Sequence, residues 1–557
     1  MKIKKYKNYG IVIIFLLCLF GVVFYSNFDT QSSRYNDSSN QTLLSSYLKQ
    51  NLNCSTANVS IYAEKEFDRL GYSLSGVGDV NGDDLEDFLV SARYFDNSST
   101  GNEGKVYLFL GEKSTWDQNI NTSKANASFI GERNNDQFGI KVAGAGDVNN
   151  DGLNDFLISS INNDQGGENA GKIYLFFGKE TGWEKNRNCS TADATFIGEY
   201  ANDIAGYSID GVGDVNGDNY DDILISAIGY NSTALGDEGK IYLFFGKSNN
   251  WQNNINCSMA DVMFFGEVAG DETGGKVSNA GDINNDGYCD FLISSTNNDQ
   301  AGSYAGKVYL FFGKSSNWNT EINCSDANAS FIGESLENRA GWSISGAGDV
   351  NSDGFDDFLI GAPFNDENGY RSGKTYLFFG KETDWNQNVN CSEANVSFLG
   401  ETEYLLSGSS VSSAGDINND NYDDILISAP LFNQTKSYVG KVCLIYGKNS
   451  NWEKQYNLDQ VNASFFGERE SDFLGQGDSI AGVGDVNGDK CDDFIISSRT
   501  NDDIGINAGK LYLFFGPNPL FNGGGNIPSY NFWLVYSILS SIGIISLKIM
   551  KNRSIKN

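Results

Sequence analysis

The sequence predicts an all-β fold: a seven-bladed β-propeller of four-stranded blades, its ring closed by an N-terminal strand, with hydrophobic membrane segments at the two ends of the chain. Three observations carry this. The string Gly-Asp-(Val/Ile)-Asn recurs with its Asp at 79, 147, 214, 282, 349, 416 and 485, a nearly constant period. Each period holds four short apolar runs separated by Gly-, Asn- and Asp-rich turns. The array also begins with a fourth-strand sequence, Ala57–Tyr62, and ends after a third-strand sequence, Lys510–Phe515, so its two ends complement each other. A chain of separate small domains is disfavoured, because a unit of this size with so little polar surface buries too little to stand alone.

The elements follow in chain order. Lys2, Lys4, Lys5 and Lys7 precede the apolar run Ile11–Tyr25, so residues 1–26 read as a signal peptide or an N-terminal signal anchor. Residues 27–47 form a polar linker. The propeller spans 48–516, and its regular spacing leaves no room for an inserted domain. In the second copy the predicted strands are Phe138–Gly144, Phe156–Ser160, Lys172–Phe177 and Ala192–Ile197. The middle two are almost continuously apolar, which suits strands covered on both faces. A short stalk (517–530), a transmembrane helix (531–550) and a basic cytoplasmic tail (551–557) complete the chain. Basic residues beyond each apolar run place those sides in the cytoplasm and the propeller on the extracellular face of the cell membrane.

Composition narrows the function. The chain has 557 residues, a net charge of −33 and no histidine. Eight of the 39 basic residues and none of the 72 acidic ones lie in the basic termini, so the span between them carries −41. Without histidine there is no Ser-His-Asp triad, no His-ligated zinc and no histidine base. So strong an acid excess argues against nucleic acid as a partner.

The recurrent string opens a loop of pattern Asp-x-Asn-x-Asp-x-x-x-Asp. Its candidate ligands, at positions 1, 3, 5, 7 and 9, fall in seven sets. They are Asp79, Asn81, Asp83, Leu85 and Asp87; Asp147, Asn149, Asp151, Leu153 and Asp155; Asp214, Asn216, Asp218, Tyr220 and Asp222; Asp282, Asn284, Asp286, Tyr288 and Asp290; Asp349, Asn351, Asp353, Phe355 and Asp357; Asp416, Asn418, Asp420, Tyr422 and Asp424; and Asp485, Asn487, Asp489, Cys491 and Asp493. Oxygen donors at alternate positions of a tight turn converge on one hard cation, and calcium is favoured over magnesium and zinc. The cofactor expectation is up to seven Ca²⁺. At position 7 the main-chain carbonyl would serve, with the bulky side chain pointing inward as an anchor. Position 6 needs a left-handed backbone, which Lys490 suits poorly. The metal-free alternative is a set of Asx-rich hairpin turns.

These motifs resemble FG-GAP repeats. Phe138-Gly139 opens a first strand, the Asp loop follows, and Gly361-Ala362-Pro363 ends a second strand. FG-GAP repeats build the propeller headpiece of integrin α subunits, and the resemblance covers most of the chain. It implies calcium loops on one face of the disc and ligand binding on the opposite face. Gly-Ala-Pro is intact only at 361–363, with Ser428-Ala429-Pro430 close behind, and neither a β-sandwich leg nor a Gly-Phe-Phe-Lys-Arg tail is present. The same propeller accompanies a phospholipase, for whose catalytic domain no span is left here. The expected function is that of a membrane-anchored, integrin-like propeller, not an enzyme, binding an extracellular protein or glycan in adhesion or recognition. A surface lectin or polysaccharide-binding protein is the alternative, and a carboxylate-based glycosidase the third reading.

Smaller signals complete the reading. Cys54, Cys189, Cys257, Cys324 and Cys391 share one repeat position, filled elsewhere by Thr122 and Leu458, and read as free, buried thiols. Trp116, Trp183, Trp251, Trp318, Trp385 and Trp452 read as rim anchors. Asn-x-Ser/Thr sequons at Asn58, Asn126, Asn231, Asn328, Asn395 and Asn462 fit an extracellular glycoprotein. Tyr94, Phe95, Tyr230, Tyr304, Phe364, Tyr370, Tyr404, Phe432 and Tyr438, with Arg371, decorate the expected ligand loops, as contacts or as loop packing.

Overall fold

A computed structural model describes residues 51–96, 101–113, 116–231, 236–433 and 437–517. The predicted signal or anchor, linker, transmembrane helix and basic tail lie outside them, as does all but the first residue of the stalk. No helix among the described residues is long and apolar enough to cross a membrane.

Seven sheets make the seven blades, and each has five strands, not four. Blade 2 contains Phe138–Gly146, Asp155–Ser160, Lys172–Phe176 and Ala194–Ile197, paired antiparallel in that order. Its fifth strand, Ile255–Asn256, comes from the 3–4 connection of the next unit and runs parallel to the fourth. Such a strand is too short for its periodicity to register. A 3-10 turn follows it, Cys257–Met259, whose cap Asn256 accepts the Ser258 amide. Every blade thus carries a rim strand lent by its neighbour.

The second strand of each blade is buried at every residue, as is the third, so the continuous apolar runs do mark strands covered on both faces. Between blades the aromatic side chains interlock. Phe129 of blade 1 meets Phe176 of blade 2 at 4.5 Å, and Phe156 stacks on Phe176 at 5.4 Å. The five repeat cysteines are fully buried and unpaired. The tryptophans do anchor the rim. Trp251 donates to the Lys247 carbonyl at 2.8 Å and lies edge-on to Phe177 of the previous blade.

The ring closes as the offset requires. Val59–Tyr62 pairs antiparallel with Lys510–Phe514, completing blade 7. Asn51–Asn53 pairs parallel with Ser464–Phe466, adding the rim strand of blade 6. One N-terminal segment therefore serves two blades.

A buried ion pair recurs in every blade. The lysine opening strand 3 meets the glutamate on the link entering that blade: Lys105–Glu64 (2.6 Å), Lys172–Glu132 (2.7 Å), Lys240–Glu199, Lys307–Glu267 (2.8 Å), Lys374–Glu334 (2.7 Å), Lys441–Glu401 and Lys510–Glu468 (2.6 Å). Both residues stand at fixed positions of all seven units.

Candidate metal loops and the face opposite them

The antiparallel order puts the 1–2 and 3–4 connections on one face of the ring and the 2–3 and 4–1 connections on the other. The seven Asp loops occupy the first face, and in each the position-1 carboxylate accepts the amides of positions 5 and 6. The position-1 carboxylate gathers the loop amides: Asp79 accepts from Asn81, Gly82, Asp83 and Asp84, at 2.6–3.2 Å. The position-5 carboxylate accepts the position-7 amide, as Asp83 does from Leu85 at 3.1 Å. The position-9 carboxylate is fully buried and fastens the loop to its blade, Asp155 accepting from Val148 (3.1 Å) and Gly178 (2.8 Å).

Two sequence expectations change. Position 6 is left-handed in all seven loops, and Lys490 adopts it at φ 74°. Its backbone N–H donates a hydrogen bond to Asp485 Oδ2 at 2.7 Å and holds it there. At position 7 only Leu85 and Cys491 are buried. Leu153, Tyr220, Tyr288, Phe355 and Tyr422 are half-buried and lie sideways on the ring, so they are not core anchors. Leu153 covers Gly82 of the preceding loop, and Tyr288 covers Gly217 in the same way.

The loops are also joined to one another. The position-8 amide of each loop donates to the position-1 carbonyl of the loop before it, from Asn154→Asp79 (3.0 Å) round to Glu86→Asp485 (3.3 Å). In return, the Asp147, Asp282, Asp349 and Asp416 amides donate to the position-8 carboxylates of Asp221, Asp356, Asp423 and Asp492 at 2.7–2.9 Å. Gly146 makes room for this. At φ 71°, its missing Cβ would stand 2.1 Å from Asp221 Oδ2.

The donor set suits a hard cation. Burial, reinforced by neighbouring carboxylates, pushes Asp87, Asp155, Asp222, Asp290 and Asp357 up to about 8. Asp424 Oδ2 and Asn284 Oδ1, at positions 9 and 3, are buried with no hydrogen-bond partner. Among the described residues, no three Asp, Glu, Cys or His side chains gather closely enough to hold a metal alone. A cation therefore needs the position-3 amide oxygen and the position-7 carbonyl as well. In loops 5 and 7 that amide points the other way. Asn351 Nδ2 donates to Asp357 at 3.4 Å and Asn487 Nδ2 to Asp493 at 3.0 Å, so each must turn its oxygen inward to act as a ligand.

On the opposite face, the predicted aromatics divide. Tyr304, Tyr370, Tyr404 and Tyr438 are 43–55% exposed. Tyr94, Tyr230, Phe364 and Phe432 are half-buried, and Phe95 is buried beneath Lys65 and Lys105 as loop packing. Exposed Tyr207 and Trp342, on the first-strand entries beside the axial channel, were not among the predicted residues. Five of the six sequon asparagines have a structural role. Asn58, Asn126, Asn328, Asn395 and Asn462 each accept the amide that follows strand 3, and Asp193 and Asp261 do the same in the other units.

Comparison with known proteins agrees with this geometry. The FG-GAP repeat is matched at residues 70–109, 340–378 and 407–442. The chain is 27% identical over 238 residues to phosphatidylinositol-glycan-specific phospholipase D of Bos taurus, covering 40% of this chain and 26% of that protein. The Dictyostelium discoideum protein of the same name is 23% identical over 352 residues, 55% of this chain and 36% of its own length. Integrin alpha-2 of Bos taurus is 30% identical over 180 residues, 31% of this chain and 14% of that protein. The match thus spans between a seventh and about a third of each relative. The chain thus carries FG-GAP repeats in three places, and its described residues form a seven-bladed β-propeller.

Proposed function

We propose that this FG-GAP propeller is a calcium-stabilised recognition module, held at the cell membrane with the propeller outside, which binds an extracellular protein or glycan through the face opposite the Asp loops. The observation that supports it is the sevenfold repetition of one loop whose side-chain donors are all oxygen and whose position-9 carboxylate is fully buried. Seven carboxylate clusters in one ring repel one another, and a divalent ion in each would offset that repulsion. The residues that would hold it are the Asp at 1, 5 and 9, the Asn at 3 and the carbonyl at 7. The ion would supply charge compensation and loop order, leaving recognition to the other face.

The lectin reading differs only in the ligand. The exposed Tyr304, Tyr370 and Trp342 favour it, since flat aromatic faces pack against sugar rings. Neither reading makes the chain an enzyme. The relatives named as phospholipases are matched over a minor part of their length, and no histidine is available for acid–base chemistry. A screen of the full-length chain against a glycan array and against cell-surface proteins, with and without calcium, tests both. Binding that requires calcium supports the proposal. Turnover of a glycan or a phospholipid would overturn it.

A further inference from the structure

In a chain with a net charge of −33, every described arginine except Arg187 lies on the 2–3 and 4–1 connections, the face opposite the Asp loops. Five of them, Arg69, Arg93, Arg339, Arg371 and Arg499, form no ion pair with any described carboxylate, although acid surrounds them. They are held against aromatic rings instead. Arg93 lies 4.4 Å from the Tyr72 ring and 4.8 Å from Tyr94, Arg69 lies 5.0 Å from Tyr94, and Arg499 lies 4.9 Å from Tyr72. The Nε of Arg93 is buried and makes no hydrogen bond. A second cluster stands on blades 4 and 5, where Arg339 lies 4.9 Å from Tyr304 and Arg371 lies 5.2 Å from Phe364.

Nearby carboxylates are occupied elsewhere. Asp68 accepts the Lys65 amide, Asp366 that of Arg371 and Asp502 that of Asn507, each closing a backbone turn. Between the two clusters, at the mouth of the axial channel, Lys141 and Lys276 share Asp478 at 2.6 and 2.5 Å, with Asp210 close to Lys141. Blades 7 and 1 face blades 4 and 5 across that channel, so cations run along a diameter of the face.

We infer that this strip binds an extended acidic polysaccharide, through its carboxylate or sulfate groups. The inference rests on the reading that this face recognises a ligand, and it names the class. These guanidinium groups are half-buried against rings, so they lose little freedom on meeting an oxyanion. Two clusters separated by the channel mouth suit a repeating polyanion, which reaches both at once. Tyr207 and Trp342, exposed between them, offer faces for the sugar rings.

The test uses the full-length chain with dextran sulfate, polygalacturonate, neutral dextran and phosphatidylserine-containing vesicles as probes. The two polymers distinguish sulfate from carboxylate. Expected is binding to at least one polyanion that weakens as salt is raised, and none to neutral dextran. R93Q/R499Q and R339Q/R371Q should each weaken it about tenfold or more, with an unchanged melting temperature. R93K/R499K, which keeps the charge and loses the fork, should recover only part. No polyanion binding, undiminished binding by both Gln variants, or preferential capture by the vesicles overturns the inference. If a protein or neutral glycan binds instead, the acidic class falls and the recognition face stands. If nothing binds, both fall.

Discussion

Replacing Lys240 with Met tests whether the recurrent Lys–Glu pair holds the blades together. The two side chains are 5% and 6% exposed, among the most enclosed of the seven pairs. The lysine ammonium also sits 4.6 Å from the Tyr230 ring and 5.0 Å from Phe265. Methionine preserves the volume and the aromatic contacts but leaves the Glu199 carboxylate buried beside Asp203 with no counter-charge. Breaking a buried pair in this way costs about 3–5 kcal/mol. For a ring of this size the unfolding entropy is about 1 kcal/mol per degree, so the melting temperature should fall by about 3–5 °C. Scanning calorimetry reads this directly. The double variant K240M/E199L, which removes both charges, should recover most of the loss, because well-packed apolar replacements of a buried pair are often neutral. If K240M melts with the wild type, or the double variant loses as much as the single one, the pair is not what holds this link. Glu367, 39% exposed beside Lys374, is the internal control, and its removal should change the melt very little.

Three further outcomes follow from the geometry. Excess chelator should lower the melting temperature of the full chain and added calcium should restore it, whereas an unchanged melt removes the calcium proposal. Gly146→Ala should destabilise by about 2–4 kcal/mol in denaturant titration, because its Cβ meets Asp221 where φ is positive; recovery in G146A/D221S would locate the cost. Burial pushes the Asp210 carboxyl, on the channel wall, up to about 7. A raised carboxyl pKa means the folded ring holds that proton longer than the unfolded chain, so ionised Asp210 costs stability increasingly as pH rises from 4 through 7. D210N should therefore raise the melting temperature at pH 8 and lose that advantage near pH 4, a difference thermal scans across this range would show.

Most of the ring was legible because repetition amplifies weak signals. A single Asp-x-Asn-x-Asp-x-x-x-Asp loop resembles any Asx turn, but seven in register fixed the blade count, and the offset of Ala57–Tyr62 against Lys510–Phe515 fixed the closure. The rim strands escaped because Ile255–Asn256 and its equivalents are two or three residues long and half-buried, and pair with a blade one period away. The same repetition was under-used elsewhere. The glutamate after strand 4, preceded by glycine in six units and by Ala63 in the other, recurs with the lysine opening strand 3, and their coincidence signals a pair. Asn58 and its equivalents read as sequons, but Asp193 and Asp261 in the same slot reveal an acceptor of a main-chain amide. The arginine clusters repeat in no unit, so no period exposes Arg93 or Arg339. Only the ring brings Arg69, Arg93 and Arg499 together, from opposite ends of the repeat array.

The closure by residues 51–62 also sets an order of events at the ribosome. Ser60 finds its partner in Tyr512, and Leu52 finds Phe465, so the first strands of the ring to be synthesised wait for nearly the last. At about 5–20 residues per second that interval is about 20 seconds to a minute and a half. Throughout it, blade 1 has no blade 7 beside it, and its inner apolar face is open to any chain of similar sequence. Two nascent copies side by side could exchange their N-terminal strands as readily as each could keep its own, so the latch that removes the last open edge is also the point at which this protein is most exposed to domain swapping.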